Sequence, residues 1–388
     1  MTGCKPGRAQ RVAELAAMHR CGQNIVGGLS PEDVRIQYHG DLSPLGWHLG
    51  HCAFIETYWL REVILGNDSV TAPLHDVYFP DLCERAARSN LLLGRDQLLE
   101  WTHAVHNENL LLLAEPPESI RQHRLMAADY LLDFLIQHYA QHLEIMHYVL
   151  AQRQLRGAGL WLPNKKLAPA SGTGKAIQLP EGPVTIGCDE PCAYDNEQPR
   201  HEIWRAGGRI AAHPVTNAEY LAFMLDGGYR RPQLWSAAGR AWLADTQTDC
   251  PATWRRSEHL WYEVNAFGPR DLQPNAAVRG LCFYEAAAFC RWVGARLPHE
   301  FEWEVAAQMG LLEGIGQAWE WCANRFHPYP GFRPFPYAGY STPWFDDRHG
   351  VLRGASEYTL PPVRRASFRN FYNLDKRHIC AGLRLAWD

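Results

Sequence analysis

Residues 43–60 read SPLGWHLGHCAFIETYWL, and residues 118–155 read ESIRQHRLMAADYLLDFLIQHYAQHLEIMHYVLAQRQL. The second string holds no Pro or Gly, and its apolar positions recur at helical spacing, which predicts one helix over 119–154. In it His138 and His142 stand four apart. At about 100° per residue their side chains project within roughly 40° of each other, one turn apart, as one helix offers two imidazoles to a metal. Glu144 points well away from His142 and is not a ligand in this reading. The first string opens on Ser43-Pro44, a cap and first-turn pair, and its apolar run stops at Gly66-Asn67, which predicts a helix over 45–66. It carries His48 and His51, three apart, and helix geometry alone does not choose which one faces inward. With helical patterns over 8–28 and 95–114 these segments make a four-helix bundle, a fold that builds metal sites from side chains facing its interior. Three neutral imidazoles with positions left open suit Fe(II) or Zn(II). A zinc-protease HExxH is excluded, because residue 139 is Tyr.

Beyond the bundle the pattern changes. Residues 156–178 are rich in Gly, Pro, Ala and Lys and read as a linker between a helical domain, 1–155, and a second domain, 179–388. In the second domain Trp, Gly and Pro are frequent, and only 216–226 and 283–293 stand out as helices, which predicts an irregular α+β fold. The 388 residues fit two domains, and 46% hydrophobic with 21% charged residues is ordinary for a globular chain. A net charge of -4 gives no reason to expect nucleic acid or an anionic membrane as partner. No apolar run is long enough for a membrane helix and the N-terminus has no apolar signal region, so a cytoplasmic protein is expected. The 11 cysteines form no CxxC pair and read as reduced, packed thiols. There is no phosphate-binding Gly-rich loop and no GxSxG elbow, so nucleotide transfer and serine hydrolysis lack support.

Both halves carry a family resemblance. The string at 43–60 with QHYAQHLE resembles the DinB-like helical domain of the ergothioneine and ovothiol sulfoxide synthases. The second half resembles their partner domain, which has the fold of formylglycine-generating enzyme, a C-type-lectin-like α+β fold. The matching strings are AYDNEQPRHEI (193–203), HPVTNAEYLAFMLDGGYRRPQLWS (213–236), FYEAAAFCRWVGARLPHEFEWEVAA (283–307), AWEWCANRFHPYPGF (318–332), VLRGAS (351–356) and RASFRNFYNLDKRHICAGLRLA (365–386). Their order, joined to a helical HxxxHxE domain, covers nearly the whole chain.

The resemblance implies a mononuclear Fe(II) enzyme that uses O2 to join a thiol, cysteine or γ-glutamylcysteine, to the imidazole of hercynine as a sulfoxide. It implies His51, rather than His48, as the partner of His138 and His142 in a three-histidine metal site, and it sets Gln141 beside the histidine-derived substrate. Arg85 and Arg88 have the spacing of a family arginine pair that holds the donor's carboxylates, and Tyr372 stands where the family has an acidic donor contact. Tyr78, Tyr329, Tyr337 and Tyr340 are candidates for a catalytic tyrosine, Trp321, Phe371 and Tyr372 for an aromatic wall around the trimethylammonium group, and Asn370 for a polar substrate contact. Formylglycine-generating activity is not expected, because RGASEYTLPPVRRASFRN (353–370) lacks the copper-binding cysteines of that enzyme. The alternatives are a selenoneine or ovothiol-type synthase with another donor, a DinB-like metal-dependent thiol transferase that needs no O2, and a non-catalytic binding protein.

Overall fold

The computed structural model describes residues 7–157, 159, 161–170, 172 and 174–388. They form two compact units that part between Arg156 and Gly157. The overall class is α+β, a helical unit followed by a mixed one.

The four longest helices of the first unit are α1 (Arg8–Gly27), α2 (Leu45–Thr57), α3 (Arg95–Ala114) and α4 (Tyr130–Gly157). Every residue of α2 except Ile55 is buried, which makes it the central helix and explains why it is apolar around its whole circumference. Two glycines let neighbours reach its backbone. A Cβ at Gly46 would lie 2.7 Å from a methyl of Val34, and one at Gly50 would lie 2.2 Å from the Tyr78 hydroxyl. Ser43 does not cap α2. Its hydroxyl accepts a hydrogen bond from Arg88 at 2.6 Å instead, and Pro44 takes the cap position with its fixed φ. The α-helical pattern stops at Thr57 and the chain continues as a π-helix over Tyr58–Ile64, with Gly66 in the left-handed region closing the turn.

The helix expected over 119–154 is broken near its start. A short helix, Glu118–Arg121, is followed by a 3-10 segment, Arg124–Asp129, and only then by α4. Ala128 and Asp129 both have positive φ. The break is held from far away: the Asp129 carboxylate lies 2.9 Å from Arg8 Nε, and Arg11 pairs with both Asp129 and Asp133.

In the second unit, residues 161–170 run along its surface. Trp161 packs on Tyr262, Asn164 N–H donates to Asp271, and Ala170 N–H donates to the Ala218 carbonyl. The central sheet has four strands, β1 (Ala318–Arg325), β2 (His349–Ala355), β3 (Asn370–Asn373) and β4 (Ala381–Gly382), in the order β3-β2-β1-β4. All neighbours are antiparallel except β1 and β4. The helices expected over 216–226 and 283–293 appear as α5 (Asn217–Leu225) and α6 (Phe283–Trp292). Ala237–Thr246 and α7 (Glu300–Gln308) are helices that the patterning did not single out. On α7 the buried face is acidic. Glu300 pairs with Arg369 at 2.8 Å and Glu304 with Arg353 at 2.5 Å, all at most 2% exposed. A buried carboxylate is tolerated only with such partners.

Candidate metal centre

One turn of α4 and one of α2 bring three imidazoles together. His51, His138 and His142 each offer a ring nitrogen within 4.8 Å of the others. Their ring centroids stand 5.2 Å (51 to 138), 4.7 Å (51 to 142) and 4.5 Å (138 to 142) apart, with planes inclined at 42–48°. The i, i+4 spacing on α4 therefore does place both rings on one side, and α2 supplies the third. His51 is buried, while His138 and His142 keep part of their surface open.

The free nitrogens follow from the partners. His51 Nδ1 lies 2.7 Å from the Tyr78 carbonyl, which only accepts, so Nδ1 carries the proton and Nε2 keeps the lone pair. His142 Nδ1 lies 3.0 Å from His48 Nδ1, so its Nε2 is likewise left for a ligand bond. His138 Nδ1 is buried and has no hydrogen-bond partner. Burial drives His51 down to about 4, although the bond to the Tyr78 carbonyl raises it. Burial, then the neighbouring histidines, hold His138 and His142 well below the ordinary imidazole value. The cluster is thus neutral at physiological pH, the form that binds metal. A divalent transition metal fits this donor set, since it would satisfy lone pairs that no protein group does.

A second cluster in the same unit, His19, Glu56 and His106, is also fully buried with its donor atoms close together. It is built differently. The His19 and His106 rings stack 3.7 Å apart at 10°, so their lone pairs lie in parallel planes and do not converge. His19 Nε2 bonds Glu56 at 2.7 Å and His106 Nε2 bonds the Tyr139 hydroxyl at 2.9 Å, a hydrogen-bonded network. Burial raises the Glu56 pKa, but His19, with His106 and the Tyr139 hydroxyl, more than offsets this and keeps the carboxyl below its ordinary value.

Around the triad, Gln141 is half-buried on α4. Arg85 and Arg88 differ in surroundings: Arg85 is exposed, while Arg88 is 5% exposed with its guanidinium on the Cys83 and Pro80 carbonyls and the Ser43 hydroxyl. It also lies 3.9 Å over the Trp47 ring, which itself stacks on His51 at 4.5 Å. Both arginines press the His48 pKa down, after burial and His51, to about 3. Tyr78 reaches the site by its carbonyl, and its phenol packs against Gly50, the residue before His51. Burial pushes that phenol far above its ordinary pKa.

The other expected site residues belong to the second unit. Trp321 is 0% exposed and its indole N–H donates to the Leu281 carbonyl at 2.9 Å, so its ring is a core element. Phe371 stacks on Phe326 at 4.2 Å. Asn370 turns its side-chain oxygen to the Phe371 N–H, and Tyr372, two along β3, shares its face of the strand. The Tyr329 hydroxyl accepts from Arg353 at 3.1 Å within the buried Glu300 and Glu304 network. Tyr340 stacks on Tyr194 at 4.3 Å, and Tyr337 is 43% exposed. His48, which the sequence offers only as an alternative to His51, faces the His142 ring instead, and the i, i+3 spacing with His51 is its signal.

The DinB superfamily matches residues 22–146, and the sulfatase-modifying factor enzyme 1-like domain matches residues 164–314 and 307–388. The chain is 31% identical, over 450 aligned positions, to the hercynine oxygenase of Mycolicibacterium thermoresistibile, with 100% of this chain and 97% of that protein covered. The hercynine oxygenase of Mycolicibacterium smegmatis is 31% identical over 92% of this chain and 94% of its own length. That of Mycobacterium tuberculosis is 30% identical over 91% of this chain and 92% of its own. Among the described residues no helix is long and apolar enough to cross a membrane.

Proposed function

This chain belongs to the hercynine oxygenase family of ergothioneine-type sulfoxide synthases, and from that premise we propose that it is an Fe(II)- and O2-dependent enzyme joining a thiol to the imidazole of hercynine. The observation that carries the reading is the convergence of His51, His138 and His142, neutral and with lone pairs unclaimed by protein groups. The overall balance needs no further reductant. The imidazole C–H and the thiol S–H are lost, a C–S bond forms, one oxygen atom goes to sulfur and the other leaves as water with the two hydrogens.

His51, His138 and His142 would hold the ion. Bound Fe(II) supplies a redox-active centre with positions left open for reactants. The residues do the rest. The Tyr78 carbonyl fixes the His51 tautomer, and burial keeps all three rings deprotonated. Gln141, between the two ligands of α4, is proposed to hydrogen-bond the hercynine imidazole. Exposed Arg85, whose charge reaches the His48 ring, is proposed to pair with the donor's carboxylate. Asn370 and Tyr372 are proposed as contacts to substrate, and Tyr329, Tyr337, Tyr340 and Tyr78 as candidates for proton delivery, to be ranked by single Tyr→Phe changes.

The test is incubation of the Fe(II)-loaded chain with hercynine in air against cysteine, γ-glutamylcysteine and a selenium donor, read by product mass and O2 uptake. One sulfoxide product with one O2 consumed per turnover is expected, and His138→Ala should abolish it. Thiol transfer without O2 uptake would replace this reading with that of a metal-dependent transferase.

A further inference from the structure

His48 and His51 sit one turn apart on α2, yet their rings do different things. His48 is 4% exposed and its Nδ1 faces Nδ1 of His142 at 3.0 Å. Of two facing imidazole nitrogens one must carry the proton and the other the lone pair. A neutral histidine that ligates through Nε2 has its proton on Nδ1. His142 is therefore the donor in the metal-bound chain, His48 Nδ1 the acceptor, and the His48 proton sits on Nε2. That nitrogen is buried with no group in hydrogen-bond geometry, while the Ser43 backbone lies close enough to the ring to raise the His48 pKa. A histidine kept only to fill space would not leave a polar atom stranded there, since an apolar side chain would fill it without the desolvation cost.

We propose that His48 is a positioning residue of the metal centre: by accepting the Nδ1–H of His142 it fixes that ligand's tautomer and ring angle and raises its basicity. The inference rests on the three-histidine reading. Partners of this kind typically shift metal affinity by about 10- to 100-fold.

The experiment titrates Co(II) anaerobically into the full chain against a competing chelator and records the ligand-field spectrum. His48→Leu is expected to bind about 10- to 100-fold more weakly with an altered spectrum. His48→Gln, whose amide oxygen can accept the same proton, is expected to stay within about threefold of wild type. A Leu variant that binds within twofold of wild type with the same spectrum overturns the proposal. Imidazole 15N signals of the Zn(II)-loaded wild type give a readout independent of any variant: His48 protonated on Nε2 supports it, and His48 protonated on Nδ1 overturns it. Failure of the underlying reading looks different, because wild type would then bind no Co(II), or His51→Ala would keep the ion that His48→Leu loses.

Discussion

Arg88 stacks on Trp47, Trp47 stacks on His51, and the same guanidinium satisfies two backbone carbonyls and the Ser43 hydroxyl. Those carbonyls lose their partner if the side chain is truncated. Arg88→Ala is therefore expected to cost roughly 2–4 kcal/mol of stability, read as a shift in denaturant midpoint, and Arg88→Lys to recover little, because an ammonium cannot reproduce the planar fork. Arg85→Ala should leave stability within about 0.5 kcal/mol of wild type and instead raise KM for the sulfur donor. An Arg88→Ala enzyme of full stability with only its donor KM raised would restore the paired clamp inferred from the spacing in CERAAR. At this scale the sequence carried the shared side of the two α4 imidazoles, His138 and His142, because four residues of helix fix where two side chains point. It did not carry Arg88's role, because the carbonyls it serves belong to an irregular loop whose path depends on the rest of the fold.

Among elements, the approach of the Tyr78 turn to α2 matters most for the centre, since that turn's carbonyl orients His51. Gly50 makes the approach possible: a Cβ there would lie 2.2 Å from the Tyr78 hydroxyl and 2.4 Å from the ring. Gly50→Ala should cost about 1–3 kcal/mol by overpacking and weaken metal binding by displacing the carbonyl. Gly40→Ala, where nothing lies within 4 Å of the added Cβ, is the control. Equal melting temperatures for the two variants would show that the turn yields without consequence. The same scale explains which elements patterning could find. The helices over 8–28 and 95–114 announce themselves by periodicity and end close to where expected. The break before Tyr130 does not, because Asp129 owes its conformation to Arg8 and Arg11, more than a hundred residues earlier. Helix α7 escapes the pattern for a related reason: Glu300, Glu302 and Glu304 are among its buried positions, and the arginine partners of Glu300 and Glu304, Arg369 and Arg353, lie on later segments.

At the scale of the whole molecule, the described residues form two compact units, and the two differ in how they hold charge inside. The first buries neutral histidines; the second buries Glu–Arg pairs such as Glu300 with Arg369 and Glu320 with Arg384. That difference predicts how each responds to acid. Burial holds His48 and His106 down to about 3 and His51 to about 4 in the folded chain. Unfolded, each protonates near 6.5. As pH falls below that value the unfolded state binds protons that the folded state refuses, so folded stability is intact above pH 6.5 and is lost as pH drops toward 4, at about 1.4 kcal/mol per unit per histidine. In the second unit, arginine partners outweigh burial and hold Glu300 below the ordinary carboxyl value, so its contribution is lost only as pH falls below about 4.5. The metal-free chain should consequently unfold on acidification in two steps, the helical unit first, with roughly 2 kcal/mol per histidine gone by pH 5. Loading with Fe(II) under argon or with Zn(II) should move the first step to lower pH and leave the second in place, because the ion binds only the deprotonated imidazoles of the native helical unit. Far-UV circular dichroism and Trp fluorescence across pH 8 to 3, with and without metal, measure both steps. A single metal-independent transition, or stability that stays flat from pH 7.5 to 5, would mean that these histidines do not carry the acid response assigned to them.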